Sequence, residues 1–586
     1  MKLLFFSPHA ALWVHAFPEA LIAQALRQAG HEIVYVTCGG QFSLGCTAMT
    51  AHGLSSETPR EEREKVCATC KLYTGLLRRH FRLSGSDVAL ELPIEDREEI
   101  GRIMAGVTRD NFQTVEVHGA QVGRAALYEF LLEHKKSALT FTTDSEWRRY
   151  LAALENTLYA AFAAKRIIER ENPDALVAYN TLYGVNRVVC QVGAAHGKPH
   201  YSLHAGFNLA HRLQTLMPSK GDVFDLLCKA VAMWPSLADL PIDATQARLV
   251  TDHFLELLTG RSVFAYSAAQ SGGTDNPRKM LGIAGDQKVL CATLSSYDER
   301  FAAEAIGARK PVPGLLFPTQ AEWLRALIDY VATRPGLFLI IRVHPREFPN
   351  KRESATSDHA RQLEEQFRNL PANVAINWPT DNLSLYDLAE TTDVFLNAWS
   401  SAGKEMAMLG IPVVSYSEDL ALYPVDERYL GTDSATYFAA IERALSDGWR
   451  FENIRRVYRW YTVEFEHIVI DIADGFGMQE HRSLGWTRDK IEKLLRLIDP
   501  YWQQRRDCWL RPRRLASQRL IARFFESGAI STLELSTPAA ASAASEASAI
   551  RTEIARILRV MYPQHDARDS RLARWLTRIS QAQQPA

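Results

Sequence analysis

Three short stretches of the chain collect side chains that handle phosphate and hydroxyl groups. In Leu337 to Glu347, LFLIIRVHPRE, an apolar run long enough for a strand buried on both faces delivers Arg342, His344 and Arg346 at its end, and Pro345 stops the ladder. Two guanidiniums and an imidazole at one sheet edge would neutralise a departing phosphate without a metal. A plain turn after a buried strand accounts for the same residues. In Asp393 to Tyr416, DVFLNAWSSAGKEMAMLGIPVVSY, a strand ends at Asn397. Ser400, Ser401, Ala402 and Gly403 then make a tight turn, and Lys404 begins a helix. Backbone N–H groups and a helix dipole at such a turn suit a phosphate, with Lys404 beside it, and Glu405 is placed to accept from ribose or sugar hydroxyls. An ordinary serine-capped junction also fits. In Tyr201 to Phe207, YSLHAGF, His204 ends a strand, where a neutral imidazole can take a hydroxyl proton or serve structure alone.

Other candidates are weaker. His9, His15 and Glu19 lie on or near the first loop, on what would be the acceptor side of a cleft, and Ser295 and Ser296 follow a strand ending at Leu294. Cys38, Cys46, Cys67 and Cys70 have the spacing C-x7-C-x20-C-x2-C, which suits a tetrahedral structural zinc, a redox pair or unligated thiols. Four thiolates would leave no open position, so such a zinc would not be catalytic, and catalysis needs no cofactor in this reading. From Trp502 to Phe525, seven arginines interleave with Trp502, Trp509, Leu510, Leu515, Phe524 and Phe525 against the single acid Asp507. That stretch reads either as an interfacial helix on an anionic membrane or as a helix packed on the first domain.

These residues need a frame that brings them together. Lys2 to Phe6, Phe17 to Ala29 and Ile33 to Thr37 read as strand, helix, strand, which opens a parallel sheet and puts Ser7 to His15 at its ligand-binding edge. Strands return at Asp174 to Tyr179 and Pro199 to His204. A second series is expected at Val263 to Ser267, Lys288 to Leu294, Leu337 to His344, Val374 to Trp378, Val394 to Asn397 and Pro412 to Tyr416. The pattern predicts an α/β chain of two tandem doubly wound, Rossmann-like domains, 1–255 and 256–480. A basic helical extension over 481–535, an Ala/Ser-rich linker over 536–549 and a terminal helix over 550–586 complete it.

Composition agrees with that frame. A chain of 586 residues exceeds one hydrophobic core, and 47% apolar with 23% charged residues is ordinary for a globular protein. A formal net charge of −1 gives no field that would gather nucleic acid. No run approaches the ~20 apolar residues of a spanning helix, and eight cysteines are too few for a disulfide scaffold, so the expected location is the cytoplasm.

The segment Asp393 to Tyr416 resembles the donor-site motif of GT-B glycosyltransferases, in which serines and a following glutamate precede a Gly-x-Pro-Val strand. His344-Pro345 is similar to the motif shared by bacterial capsule-type transferases, which use CMP-activated acidic sugars, and teichoic-acid polymerases, which use CDP-activated polyols. In both, a strand and a Ser-Ser turn follow, as here. In the polymerases a His-Gly acts on the acceptor hydroxyl near the place of His204, whereas here Ala205 interrupts the pair. The resemblance implies the GT-B fold, a donor linked to CMP, CDP, UDP or GDP bound in the second domain, and a glycan or lipid-linked glycan acceptor at the first. It implies transfer of a sugar to a surface polysaccharide of capsule or lipopolysaccharide type, with the enzyme peripheral on the inner face of the inner membrane. A CDP-polyol phosphotransferase, a nucleotide-sugar 2-epimerase and a noncatalytic subunit of a polysaccharide assembly complex are the alternatives.

Overall fold

The computed structural model describes residues 1–262, 264, 266, 268–271, 276–350, 355–381, 383–476, 486–536, 541–563 and 570–582. Of the expected strand at Val263 to Ser267, residues Val263, Ala265 and Ser267 lie outside these.

Two sheets are built from short apolar runs. In the first, β1 (Lys2–Phe6), β2 (Glu32–Val36), β3 (Ala175–Tyr179) and β4 (His200–Ala205) are parallel neighbours in the order β4-β3-β1-β2. Their interiors (LLFF, IVYV, ALVAY) are apolar at successive positions because helices cover both faces. Antiparallel β5 (Thr215–Lys220) extends this sheet beside β4. Pro218 within β5 hides it from sequence patterning, since a ring nitrogen without a proton argues against a strand. The second sheet holds β6 (Lys288–Thr293), β7 (Leu337–Arg342), β8 (Val374–Asn377), β9 (Val394–Asn397) and β10 (Val413–Ser415). These are all parallel in the order β10-β9-β6-β7-β8. The chain is thus an α/β protein of two Rossmann-like domains with a helical C-terminal part, the GT-B layout.

The chain then returns. Strand β11 (Ile470–Asp471) pairs antiparallel with β5 and joins the first sheet, ahead of the boundary expected at 480. The helix Gln518–Ser527 buries Ile521, Phe524 and Phe525 in the core of the first domain, and Phe525 lies 4.5 Å from the Tyr201 ring. Trp13 Nε1 donates to Asp507 at 2.9 Å. The helix Ala543–Met561 passes back and buries Ile550, Ile554 and Ile557 in the second domain. Fully buried Glu546 accepts from Arg455 and Arg459 there. This second core is closed by the helix Arg571–Gln581, whose Trp575 donates to Leu409 O at 3.0 Å.

The domains also touch directly. Ala302, Ala305 and Ile306 of the second domain belong to the hydrophobic cluster of the first, and Arg187 Nε donates to Ile306 O at 3.0 Å. Fully buried Lys135 donates through Nζ to the carbonyls of Arg346 (2.5 Å), Phe348 (3.1 Å) and Ala355 (2.7 Å). An ammonium out of water needs several acceptors, and the loop after β7 supplies them.

Because its ring is buried against Tyr201, Phe525→Ala should cost about 3 to 5 kcal/mol of unfolding free energy. Denaturant unfolding followed by tryptophan fluorescence measures this. A loss below about 1 kcal/mol would mean the helix only rests on the first domain.

Candidate active site

The site follows from strand register. Thr293 at the end of the central strand β6 pairs with Arg342 on one side and Asn397 on the other. The loops after β6, β7 and β9 therefore leave one sheet edge together, where parallel sheets bind ligands. They open onto a cavity of about 340 Å³ lined by Arg342, His344, Ser400, Ser401, Lys404 and Glu405. Phe207, Leu209 and Leu227 line it from the part of the chain that follows β4.

Each polar group there has a definite hydrogen-bond state. His344 Nδ1 accepts the Arg346 backbone N–H at 3.2 Å, which leaves the ring proton on Nε2. Burial holds this imidazole down at about 4, so at neutral pH it is an uncharged N–H donor rather than a cation. Arg342 is buried and donates to Asn377 Oδ1, and burial lowers its pKa, yet a guanidinium stays charged at any physiological pH. Among the described residues the backbone N–H groups of Ser400 and Ser401 find no protein acceptor. Glu405 accepts from Tyr386 Oη at 2.8 Å and Ser401 Oγ at 3.1 Å, and burial raises its pKa. The helix from Ala402 to Ala407 is only six residues long, so the serine turn, more than a macrodipole, presents donors here. Gly403 is required by packing: a Cβ would meet Tyr423 Oη at 2.5 Å and Asn397 Nδ2 at 2.8 Å, the two groups that hold Ser400 O at 2.8 and 2.9 Å.

Several expected residues have other duties. Arg346 does not line the cavity; it forks onto buried Asp298 at 2.9 and 3.1 Å and reaches Tyr266 Oη at 3.2 Å, which fixes the loop from behind. Ser295 and Ser296 also lie outside the lining. The Ser295 backbone is held by Gln320, and Ser296 Oγ donates to Asp298 at 3.0 Å. Lys404 does line it, but its ammonium is neutralised by buried Glu464, both oxygens of which lie at 2.6 Å.

Sequence reasoning missed Glu464, Arg309, His253 and an aromatic wall of Phe207, Trp399, Tyr423, Tyr461 and Phe465. The wall carries no motif. Its residues come from separate segments of both domains, and only the helix face pairing Tyr461 with Phe465 at 5.0 Å left a spacing signal.

Across the cleft, the first sheet gathers a second group at its own ligand edge. His204 ends β4, and its Nδ1 lies 2.8 Å from Ala205 O, so Nδ1 carries the proton and Nε2 keeps its lone pair. Burial holds its pKa at about 4. It does not line the large cavity. His15 stacks on Tyr179 at 4.2 Å, and burial first, then the nearby His9, His204 and Arg212, lower its pKa to about 3. His9 is buried edge-on to Tyr183 at 5.9 Å. Glu19 is buried and pushed up to about 8 by desolvation. Gly206 makes room here, since a Cβ would sit 2.1 Å from Thr215 Oγ1.

The four clustered cysteines line one separate cavity of about 170 Å³ beside Pro8, Thr37 and Asp87. Cys38 Sγ accepts from Phe42 N–H at 3.2 Å, Cys70 Sγ donates to Pro8 O at 3.7 Å, and burial pushes the Cys46 thiol up to about 12. Among the described residues no group of three or more His, Cys, Asp or Glu could hold a metal ion. The thiols thus share a cavity, and two of them are engaged by backbone groups.

No protein-family model matches the sequence, and no curated protein does. Similar solved structures include the UDP-GlcNAc 2-epimerase of Methanocaldococcus jannaschii in complex with UDP-GlcNAc and UDP, at 11% identity over 79% of this chain and 99% of that one, with a TM-score of 0.24. Thermosulfurimonas dismutans KpsC, a beta Kdo 2,4 transferase, shares 15% identity over 46% of this chain and 79% of that one, with a TM-score of 0.27. The glycosyltransferase SnogD from Streptomyces nogalater shares 15% identity over 79% and 96%, with a TM-score of 0.23. Likeness at this level assigns no activity.

Buried His253 accepts the Leu209 N–H at 3.0 Å, and burial holds its pKa at about 3 against an ordinary 6.5. A depressed imidazole stabilises the fold fully above about 6.5 and progressively less as pH falls, because the unfolded chain takes up the proton first. His253→Gln keeps an acceptor but cannot titrate. Between pH 6.5 and 5 the original protein should therefore lose stability relative to the variant, by at most about 1.4 kcal/mol per pH unit. Parallel thermal melts across that range test it, and a pH-independent difference would mean that His253 is not held neutral.

Proposed function

We propose that the chain is a glycosyltransferase that moves a sugar from a nucleotide-activated donor to a growing surface glycan of capsule or lipopolysaccharide type. The observation that carries this reading is the juxtaposition in one cavity of Arg342, the Nε2–H of His344 and the unpaired Ser400 and Ser401 N–H groups with an aromatic wall. Three kinds of donor lining one cavity suit a phosphate whose charge grows as its bond to sugar breaks. Flat rings suit a nucleobase, and Glu405 suits ribose or sugar hydroxyls.

In this scheme the donor phosphate rests on the serine turn and Arg342. The bond from the anomeric carbon to the phosphate oxygen breaks, and its electron pair stays with the nucleotide, where the His344 N–H and Arg342 meet it. The acceptor oxygen forms the new bond to that carbon, and its proton passes to Nε2 of His204, whose tautomer already offers a lone pair. His15, His9 and Arg212 beside it would orient the acceptor. Activity in the cytoplasm, at the inner face of the membrane, fits a lipid-linked acceptor.

Thermal stabilisation by CMP, CDP, UDP and GDP identifies the donor nucleotide, since a ligand at a hundred times its Kd adds about 2.7 kcal/mol. His344→Ala should lower turnover about a hundredfold to a thousandfold while the melting temperature stays near that of the original protein. Stabilisation by none of the nucleotides, or full activity in that variant, would reject the reading. Conversion of the donor sugar without any acceptor would identify an epimerase instead, and transfer of a phosphate-bearing group would identify a polyol-phosphate transferase.

A further inference from the structure

The chain places its apolar surface unevenly. Among the described residues, six of the twelve exposed large hydrophobic side chains fall between Ile491 and Leu510. Ile491, Leu494 and Ile498 recur at the spacing of one helix face on Trp486–Ile498, and Leu497 flanks them. Leu497 is 82% exposed and Ile498 73%. Trp509 and Leu510, at 58% and 73% exposed, end the next helix, Trp502–Leu510, which is fixed to the first domain by the Trp13 to Asp507 hydrogen bond. Apolar side chains so concentrated are costly in water and mark a surface that meets something else.

Charge indicates what that is. Although the whole chain carries a formal −1, residues Lys490 to Arg523 hold ten basic side chains against three acidic ones. Lys493, Arg496, Arg505, Arg513, Arg514, Arg519 and Arg523 are exposed. Asp499 and Asp507 are half-buried and already paired with Arg505 and Arg506. An open apolar helix face beside a band of exposed cations matches a bilayer interface with anionic headgroups. Among the described residues no helix is long and apolar enough to cross a membrane, so the contact would be one of lying on the surface.

We infer that the helix Trp486–Ile498, together with Trp509, Leu510 and the surrounding arginines, is a docking face for an anionic lipid bilayer. The aromatic and apolar residues from Leu515 to Phe525 are not its anchors, because Leu515, Ile521, Phe524 and Phe525 are buried in the first domain. The anchors are the exposed apolar residues that precede them. The docking is independent of the reaction at the cleft.

Sedimentation of the full chain with vesicles of phosphatidylglycerol and phosphatidylcholine, against vesicles of phosphatidylcholine alone, tests this. Binding to the anionic vesicles and release by salt are expected. Leu494→Glu with Leu497→Glu and Trp509→Glu should weaken binding at least about tenfold, and Arg513→Glu with Arg514→Glu should do likewise, since one basic residue at such a surface is worth about fivefold. All five side chains are exposed, so both variants should melt like the original protein and keep its nucleotide response. Unchanged vesicle binding in the apolar variant would overturn the inference. So would an original protein that ignores anionic vesicles at low salt but forms, in sedimentation velocity, a dimer that the apolar variant loses, because the face would then belong to a second copy.

Discussion

The pairing of Thr293 with both Arg342 and Asn397 is the constraint on which the rest of the second domain depends. Three parallel strands ending at one level force three loops to the same edge, and the cavity is the space those loops enclose. The His344 tautomer, the shape of the Ser400 turn and the reach of Glu405 are refinements of that placement. A slip of one residue in either strand would turn its side chains to the opposite face and separate the imidazole from the serines.

Around this edge, buried charge is managed by pairing. Arg346 is tied to Asp298, Lys404 to Glu464, and Lys135 to three carbonyls. Arg346 and Lys404 are neutralised by their carboxylates, whereas the three carbonyls hold the Lys135 ammonium without cancelling its charge. Arg342, on the cavity itself, donates to a neutral amide, so its positive charge is not cancelled by that partner.

The fold was largely legible in the sequence because strands buried on both faces read as continuous apolar runs. Strands β1 and β9 were expected at their observed limits, and most others within one or two residues. Strand β5 was hidden by Pro218, and β11 by its length of two residues. The site was legible where its residues adjoin strand ends, as His344, Ser400 and Glu405 do. Arg346 and Ser295 stand equally near strand ends, yet the Arg346 side chain is held by Asp298 and the Ser295 backbone by Gln320, partners from other segments that spacing does not reveal, while Ser296 bonds Asp298 two residues on. Trp399, His253 and Glu464 come together only after folding, so no local pattern announces them.

The chain passes between the two domains three times: before the helix Ala244–Leu258, before β11, and before the helix Ala543–Met561. A body tethered by one segment can swivel about it in any direction. Three tethers at separate points remove rotation about the line joining the domains and leave bending across the cleft as the soft motion. Opening the cleft then resembles the opening of a book whose spine is sewn in three places. Sewn in this way, the two pages would resist sliding past one another, so any opening would keep the His204 edge aligned with the His344 edge.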